Sequence, residues 1–405
     1  MPETLPRLRV DLDFMPSPVA DRPGLLIRDS LRYSDATLIV PPGLVQCLQL
    51  FDGEGTDLDL RQALVQLTGD LRVGDLERHL VESLSNAGFL ENEVYTSLKA
   101  AKHLAFAQSP VRVASLAGSA YPGEASELSA TLREYMDHAD PTADSGTLLG
   151  IAAPHVSLDG GRDCYRAAYG ALGPELKDRT FVILGTSHHG LPERFGLTRK
   201  TFSTPLGETA SDVALVEELN AKAGAAVVME DYCHAIEHSI EFQILFLQHL
   251  YGPGVRILPI LCGPFVRSLY EGGKPEDGPQ VKRFLEALGE IAAREGKRLL
   301  WVLGIDMAHI GRRYGDSFAA QAQRGVMETV AGRDRARLDR IADADADGFW
   351  EEVRRTQDDL RWCGASALYT LMKAAPTARA DLLRYEQWNI DEESVVTFAA
   401  LAFRG

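Results

Sequence analysis

Four of the ten histidines stand at or just beyond the ends of long apolar runs. "LLGIAAPH" stops at His155, "FVILGTSHH" at His188 and His189, and "LLWVLGIDMAH" passes Asp306 to reach His309. A neutral imidazole is the commonest metal ligand, and its near-neutral pKa also suits it to proton transfer. Any one of these residues read alone is more simply a hydrogen-bonded core or surface histidine. Their recurrence after three separate runs points instead to a shared metal or catalytic site. Pro154 restricts the backbone before His155, while Gly185 and Ser187 leave room beside His188 for a metal or substrate. Asp306, three residues before His309, is suited to orient an imidazole or to hold a proton itself.

A second constellation lies in "CHAIEHSIEFQ", where His234 and His238 are four apart, as are Glu237 and Glu241. On one helix each pair shares a face. The order His234-x-x-Glu237-His238 also matches the H-x-x-E-H pattern of a class of zinc peptidases, but that reading leaves the strand-end histidines unemployed. Acidic residues at a helix N-terminus also have a plain electrostatic use, since they offset the macrodipole. His238 and Glu241 are therefore expected to face the site as substrate-contacting or supporting groups, together with Ser187, with His234 at its edge.

Elements that could bring these residues together follow from the apolar patterning. From about residue 111 the chain alternates nearly continuous apolar strands ("TLLGIAAP", "TFVILGTS", "VRILPILCG", "RLLWVLGID", "VVTFAALAF") with amphipathic helices near 126 to 137, 211 to 223, 238 to 250 and 280 to 295. This predicts an α/β domain over residues 111–405, with a central, mostly parallel sheet between helical layers. Ligands of such sheets bind in the crevice beyond the carboxyl ends of the strands, where the histidines fall.

Residues 1–100 read differently. "GLLIRDSLRYSDATLIV" predicts two short strands, and "PPGLVQCLQLFDG", "DLDLRQALVQLTG" and "GDLERHLVESLSNAGFL" predict three helices. Pro42 suits a first helical position, Gly53 and Gly69 suit C-terminal stops, and Asp75 suits the start of the third helix. The expectation is a small α+β winged-helix-like module, joined to the larger domain by a linking helix and entry strand in "KAAKHLAFAQSPVRVA". Residues 1–110 hold 10 Lys+Arg against 16 Asp+Glu, the wrong balance for gripping nucleic acid. The formal net charge of −16 for the whole chain extends that exclusion to DNA and RNA generally. No run approaches the roughly 18 uncharged residues that span a bilayer, and the N-terminus lacks a basic-then-apolar leader, so a cytoplasmic protein without a membrane partner is expected. Five scattered cysteines, none in a CxxC spacing, predict neither a disulfide framework nor a zinc ribbon.

Two resemblances sharpen these expectations. "LQLFDGEGTDLDLRQALVQL" and "LVESLSNAGFLENE" resemble PqqD-like peptide-recognition modules found beside radical-chemistry enzymes, implying a partner- or peptide-binding role for residues 1–100, with a plain structural cap as the alternative. Seven blocks, "LAGSAYPG", "IAAPH", "VILGTSHHG", "TPLG", "EHSIEFQILFL", "ILPILCG" and "GIDMAH", occur in the order seen in the Memo-like family, whose prokaryotic members are called AmmeMemoRadiSam system protein B. That family resembles the class III extradiol dioxygenases in fold. The resemblance implies that His155, His188 and Cys363, in "RWCGAS", are metal ligands. It also carries over Asp306 and His309 as site residues, with His309 at the general-base position, beside His189. Three departures stand out: Val156-Ser157-Leu158 replaces the usual Ala-Gly-Tyr, Gly304-Ile305 replaces Ser-Ser, and Cys363-Gly364 lacks the arginine that commonly follows.

Two imidazoles and a soft thiolate favour copper, zinc or iron. The resemblance implies iron or copper with redox activity, zinc being less favoured, and oxidative chemistry on a small-molecule or peptide-borne substrate. A radical enzyme partner docking on residues 1–100 would fit the same picture. The alternatives are a ring-cleaving extradiol-type dioxygenase and a non-catalytic binding protein.

Overall fold

A computed structural model describes residues 2–137 and 148–405. By internal packing the chain divides into two units, Met1–Gln108 and Ser109–Gly405, so the linking helix, Glu93–Gln108, belongs to the first. Among the described residues no helix is long and apolar enough to cross a membrane.

The first unit contains the two expected strands, Leu25–Asp29 and Thr37–Val40, and a third, Leu12–Pro16, pairs antiparallel with Leu25–Asp29. Its helix Asp57–Thr68 starts on a reciprocal cap between Thr56 and Asp59 and stops at Gly69, whose φ of 72° a side chain would disfavour. Two details differ from expectation. Pro42–Leu50 forms 3-10 turns rather than an α-helix, and its buried residues are the adjacent Cys47 and Leu48 rather than a stripe spaced by four. Asp75 lies inside the first turn of Gly74–Asn86 instead of capping it, near the positive end of the helix dipole.

In the second unit the four expected strands Leu148–Ala153, Leu299–Gly304, Thr180–Thr186 and Arg256–Cys262 lie side by side in that order and run parallel. Thr147, the first residue of the expected opening strand, lies outside the described residues. Ser394–Arg404 joins antiparallel at the edge of this group against Leu148–Ala153, so the sheet is mixed but parallel at its centre. Helices cover both faces. One apolar core lies under Ala125–Met136, Arg162–Gly170 and Glu241–Tyr251, and the other under Val213–Ala223, Pro279–Glu295, Val326–Ala342, Ala346–Arg354 and Ala365–Ala374. Strands sandwiched between two such layers need apolar side chains on both sides, which is why they read as unbroken apolar runs.

Register sets the geometry of the strand ends. Ala153 pairs with Gly304, Gly304 with Gly185, and Thr186 with Cys262, so the four strands finish at one level. Two glycines there let the chain before Glu241–Tyr251 press onto the sheet: a Cβ at Gly304 would lie 2.0 Å from Ser239 O, and one at Gly185 would lie 2.5 Å from Ser239 Oγ. Gly304→Ala is accordingly expected to lower stability by about 1–3 kcal/mol through overpacking, read as a lower urea midpoint. An unchanged midpoint would show that the backbone gives way without cost.

Candidate metal centre

His155, His188 and Asp306 each follow the end of a central strand by two residues, and the common level of those ends delivers all three to one crevice. The segments are then pinned. His155 N donates to Asp306 Oδ1 (2.9 Å), and Ser187 N to Cys262 O (3.0 Å). The loop before Ala365–Ala374 is tied to two strand ends, Thr186 Oγ1 donating to Cys363 O and Gly364 N to Asp306 O, both at 3.0 Å. This brings Cys363 Sγ to 3.4 Å from His155 Nε2, across 208 residues of chain.

Three imidazoles beyond the strand ends, those of His155, His188 and His309, are oriented by one rule. His155 Nδ1 donates to Gly304 O (2.9 Å), His188 Nδ1 to the Glu237 carboxylate (3.0 Å to both oxygens), and His309 Nδ1 to Met307 O and Arg361 O (3.0 Å each). Because carbonyls and ionised carboxylates only accept, each Nδ1 carries the hydrogen, and Nε2 is the nitrogen with a free lone pair. An imidazole whose other N–H is held by a carbonyl or carboxylate is the usual arrangement behind a metal-bound histidine.

Among the described residues two overlapping groups of potential ligand atoms result: His155, His188 and His238 form one, and His155, Asp306 and Cys363 the other, with all atoms of each group within 4.8 Å of one another. His155 is common to both, so the expected trio of His155, His188 and Cys363 straddles them. The rings of His155, His188 and His238 form a near-equilateral set, with centroids 5.1, 5.2 and 5.3 Å apart. Asp306 Oδ2 stands 3.5 Å from His155 Nε2.

The electrostatics of these side chains favour a cation. Burial would lower the pKa of His155, yet Asp306 and Cys363 push it up to about 9. At His188 burial is again outweighed, by Glu237 and Cys363, and the pKa rises. Burial opposes ionisation of Cys363, but His155 and His188 hold its thiol well below the usual range. Burial would raise Glu237 too, and His188 brings it down to about 2. His238 is the exception, lowered to about 3 mainly by burial despite the pull of Glu237. Imidazoles with raised pKa values beside a thiol with a lowered one draw positive charge to this point, and once their protons leave, the imidazole, thiolate and carboxylate donors fit a metal ion.

Comparison with known proteins places this geometry in a family. Residues 112–402 match the family model described as Memo-like protein. The chain belongs to the Memo-like protein family. MEMO1 family protein TK1477 of Thermococcus kodakarensis is 29% identical over 305 residues, which cover 73% of this chain and 99% of that protein. MEMO1 family protein MK0963 of Methanopyrus kandleri is 28% identical, covering 72% and 99%. A MEMO1 family protein of Aquifex aeolicus is 27% identical, covering 72% and 73%. A solved structure of an uncharacterized protein from Escherichia coli K12 is similar over 56% of this chain and 86% of its own, at 11% identity and a TM-score of 0.31. The family match begins after the first unit, Met1–Gln108.

Within this Memo-like domain several residues stand elsewhere than expected. Glu241 does not face the crevice. It is fully buried and accepts from Arg112, Tyr121, Ser115 and the Leu116 backbone, so its oxygens are consumed in tying Val111–Val113 and the following loop to the helix it begins. Ser187 is buried, and its hydroxyl has no hydrogen-bond partner among the described residues. His189 is exposed and belongs to neither ligand group. His234 and His238 do not share a helix: Cys233–Ile236 ends at Glu237, which is extended (ψ 139°), and the next helix opens at Glu241. His234 instead turns its Nε2 to Gly196 O at 3.0 Å.

The residue that sequence reasoning undervalued is Glu237. Its place between His234 and His238 marks it only as part of an acidic helix start, whereas folding aims it at His188. Glu237→Gln keeps the shape but removes the charge, and is expected to weaken metal binding about 10–100-fold, measured by competition with a chelator. Wild-type affinity in that variant would mean the carboxylate does nothing for the imidazole. Tyr314 was also missed: its ring meets His309 edge-on at 5.0 Å.

Proposed function

We propose that this Memo-like protein holds iron or copper through His155, His188 and Cys363 and carries out oxidative chemistry on a small or peptide-borne substrate. The observation that supports this reading most directly is the approach of Cys363 Sγ to His155 Nε2 at 3.4 Å, with the Nδ1 atoms of His155 and His188 already engaged behind them. A thiolate among imidazoles selects a soft or redox-active metal over magnesium or calcium. Bound there, iron or copper would supply electron transfer and Lewis acidity.

The chain's own groups do the rest. His309, with Nδ1–H fixed between two carbonyls, takes or gives a proton at Nε2. Asp306 has one oxygen fixed by the His155 backbone and the other beside His155 Nε2, so it holds that loop and its ring in place. Burial raises the Asp306 pKa against the pull of His155, which suits it to carry a proton at Oδ2 during turnover. Residues 1–100 would present a peptide or dock a radical enzyme partner, and deletion of that unit should abolish partner capture while leaving metal content unchanged.

A second ligand set is favoured by the packed rings of His155, His188 and His238. Three neutral imidazoles without the thiolate would accept zinc as readily as copper. Elemental analysis of anaerobically purified, untagged protein tests the main reading: close to one equivalent of iron or copper is expected, and less than about a tenth of an equivalent of any transition metal would end it.

A further inference from the structure

Val326–Ala342 lies outside the crevice, yet one of its side chains reaches both loops that build the site. Asp334 is fully buried and accepts three hydrogen bonds. Oδ1 takes Trp362 Nε1 at 2.8 Å, while Oδ2 takes Tyr385 OH at 2.7 Å and Thr397 Oγ1 at 2.8 Å. A buried carboxylate is costly unless its lone pairs are occupied, and these three donors occupy them.

Two of the donors lead directly to the centre. Trp362, itself 2% exposed, precedes Cys363 in a loop where Gln357, Asp358 and Arg361 all have positive φ (50°, 49° and 56°). Non-glycine residues in that region persist only where surrounding contacts hold them. Arg337, one turn along from Asp334, sits 5.1 Å from the Trp362 ring and pairs with Asp358 at 3.2 Å, so the same helix grips this loop twice. Thr397 grips the other loop. Its Oγ1 accepts from Ala308 N (2.8 Å), its N donates to Ala308 O (2.9 Å) and its O accepts from Met307 N (2.8 Å), which fixes the chain between Asp306 and His309. Tyr385, the third donor, comes from Arg379–Asp391 and shares Oδ2 with Thr397, without a hydrogen bond of its own to the backbone of either loop.

We propose that Asp334 is a positioning residue of the centre, its two oxygens locking Trp362 and Thr397 in mutual register and thereby setting where Cys363 stands against Asp306 and His309. The geometry is independent of any metal, but its consequence for ligand binding rests on the metal-centre reading above.

The test has a metal-free and a metal-loaded arm. Cys363 is the one partly accessible cysteine, the other four being buried, so iodoacetamide reports on its placement in metal-free protein. Trp362→Phe removes the Oδ1 donor while keeping an aromatic ring beside Arg337, and is expected to speed alkylation of Cys363 about tenfold, to weaken Co(II) binding by a similar factor and to diminish the thiolate-to-Co(II) charge-transfer band. Tyr385→Phe removes a donor from the same carboxylate and should leave all three readouts at wild-type values. Asp334→Asn, with its amide oxygen toward Trp362 and its nitrogen toward the two hydroxyls, should retain near-wild-type behaviour, whereas Asp334→Leu should match or exceed Trp362→Phe. If Trp362→Phe does not fold, the Asn/Leu pair carries the comparison. The proposal is overturned if the folded Trp362→Phe and Asp334→Leu proteins alkylate and bind Co(II) as wild type does. Equal effects from Tyr385→Phe would overturn it too, reducing Asp334 to a general stabiliser. Failure of the metal-centre reading looks different: wild type itself would give no charge-transfer band, while the alkylation contrast among variants remained.

Discussion

Cys363→Ser is expected to leave the protein folded and nearly without metal, with affinity reduced beyond the roughly 100-fold upper range for losing a supporting partner, because it removes a ligand rather than a neighbour. The thiol is already held well below its usual pKa by His155 and His188, so the charge that would attract a soft cation disappears with the sulfur. A serine hydroxyl would stay neutral there and offer a poor donor to copper or iron. His155→Ala should do at least as much damage, since its Nε2 belongs to both ligand groups. His238→Ala separates the two ligand sets. Retained iron or copper in that variant supports thiolate ligation, while loss of metal from His238→Ala with retention in Cys363→Ser would transfer the site to the three imidazoles. Elemental analysis and chelator competition on the four proteins read the outcome.

The second large effect concerns stability. Glu241→Ala should cost about 3–5 kcal/mol, because it leaves the Arg112 guanidinium buried without its counter-charge. Arg112 lies under 2% exposed side-chain surface, and its remaining partners are the carbonyls of His234 and Glu237 and the Ser115 hydroxyl. The pH dependence follows from the sign of the shift at Glu241. Burial would raise its pKa, but Arg112, Tyr121 and the Ser115 backbone lower it below 4.5. A carboxylate depressed on folding contributes its stability in full above the unfolded value and loses it as pH falls through the folded one. Urea midpoints of wild type and Glu241→Ala should therefore lie far apart at neutral pH and converge well below pH 4.5. A constant gap down to that acidity would show that the loss comes from packing and not from charge.

Much of this arrangement was legible before folding, and for a definite reason. Strand-length apolar runs and amphipathic helices are local patterns, so "FVILGTS" and its companions fixed the parallel centre of the sheet. A residue just past such a run must emerge at the sheet's edge whatever the rest of the chain does, which is how His155, His188 and Asp306 could be grouped. The family likeness added Cys363, for which spacing alone offers no signal, since its sulfur meets His155 across 208 residues.

What spacing could not decide is where side chains beyond those ends turn. The four-residue intervals in "CHAIEHSIEFQ" promise shared helical faces only if the helix is continuous, and the extended Glu237 breaks it. That break sends Glu237 to His188, brings His238 onto the two strand-end imidazoles and leaves His234 on Gly196. Glu241 was lost to the site because Arg112, 129 residues earlier, needs a buried counter-charge. Residue identity and periodicity determined which groups arrive at the crevice; long-range pairing of buried charges, and one break in a helix, decided which of them face one another across it.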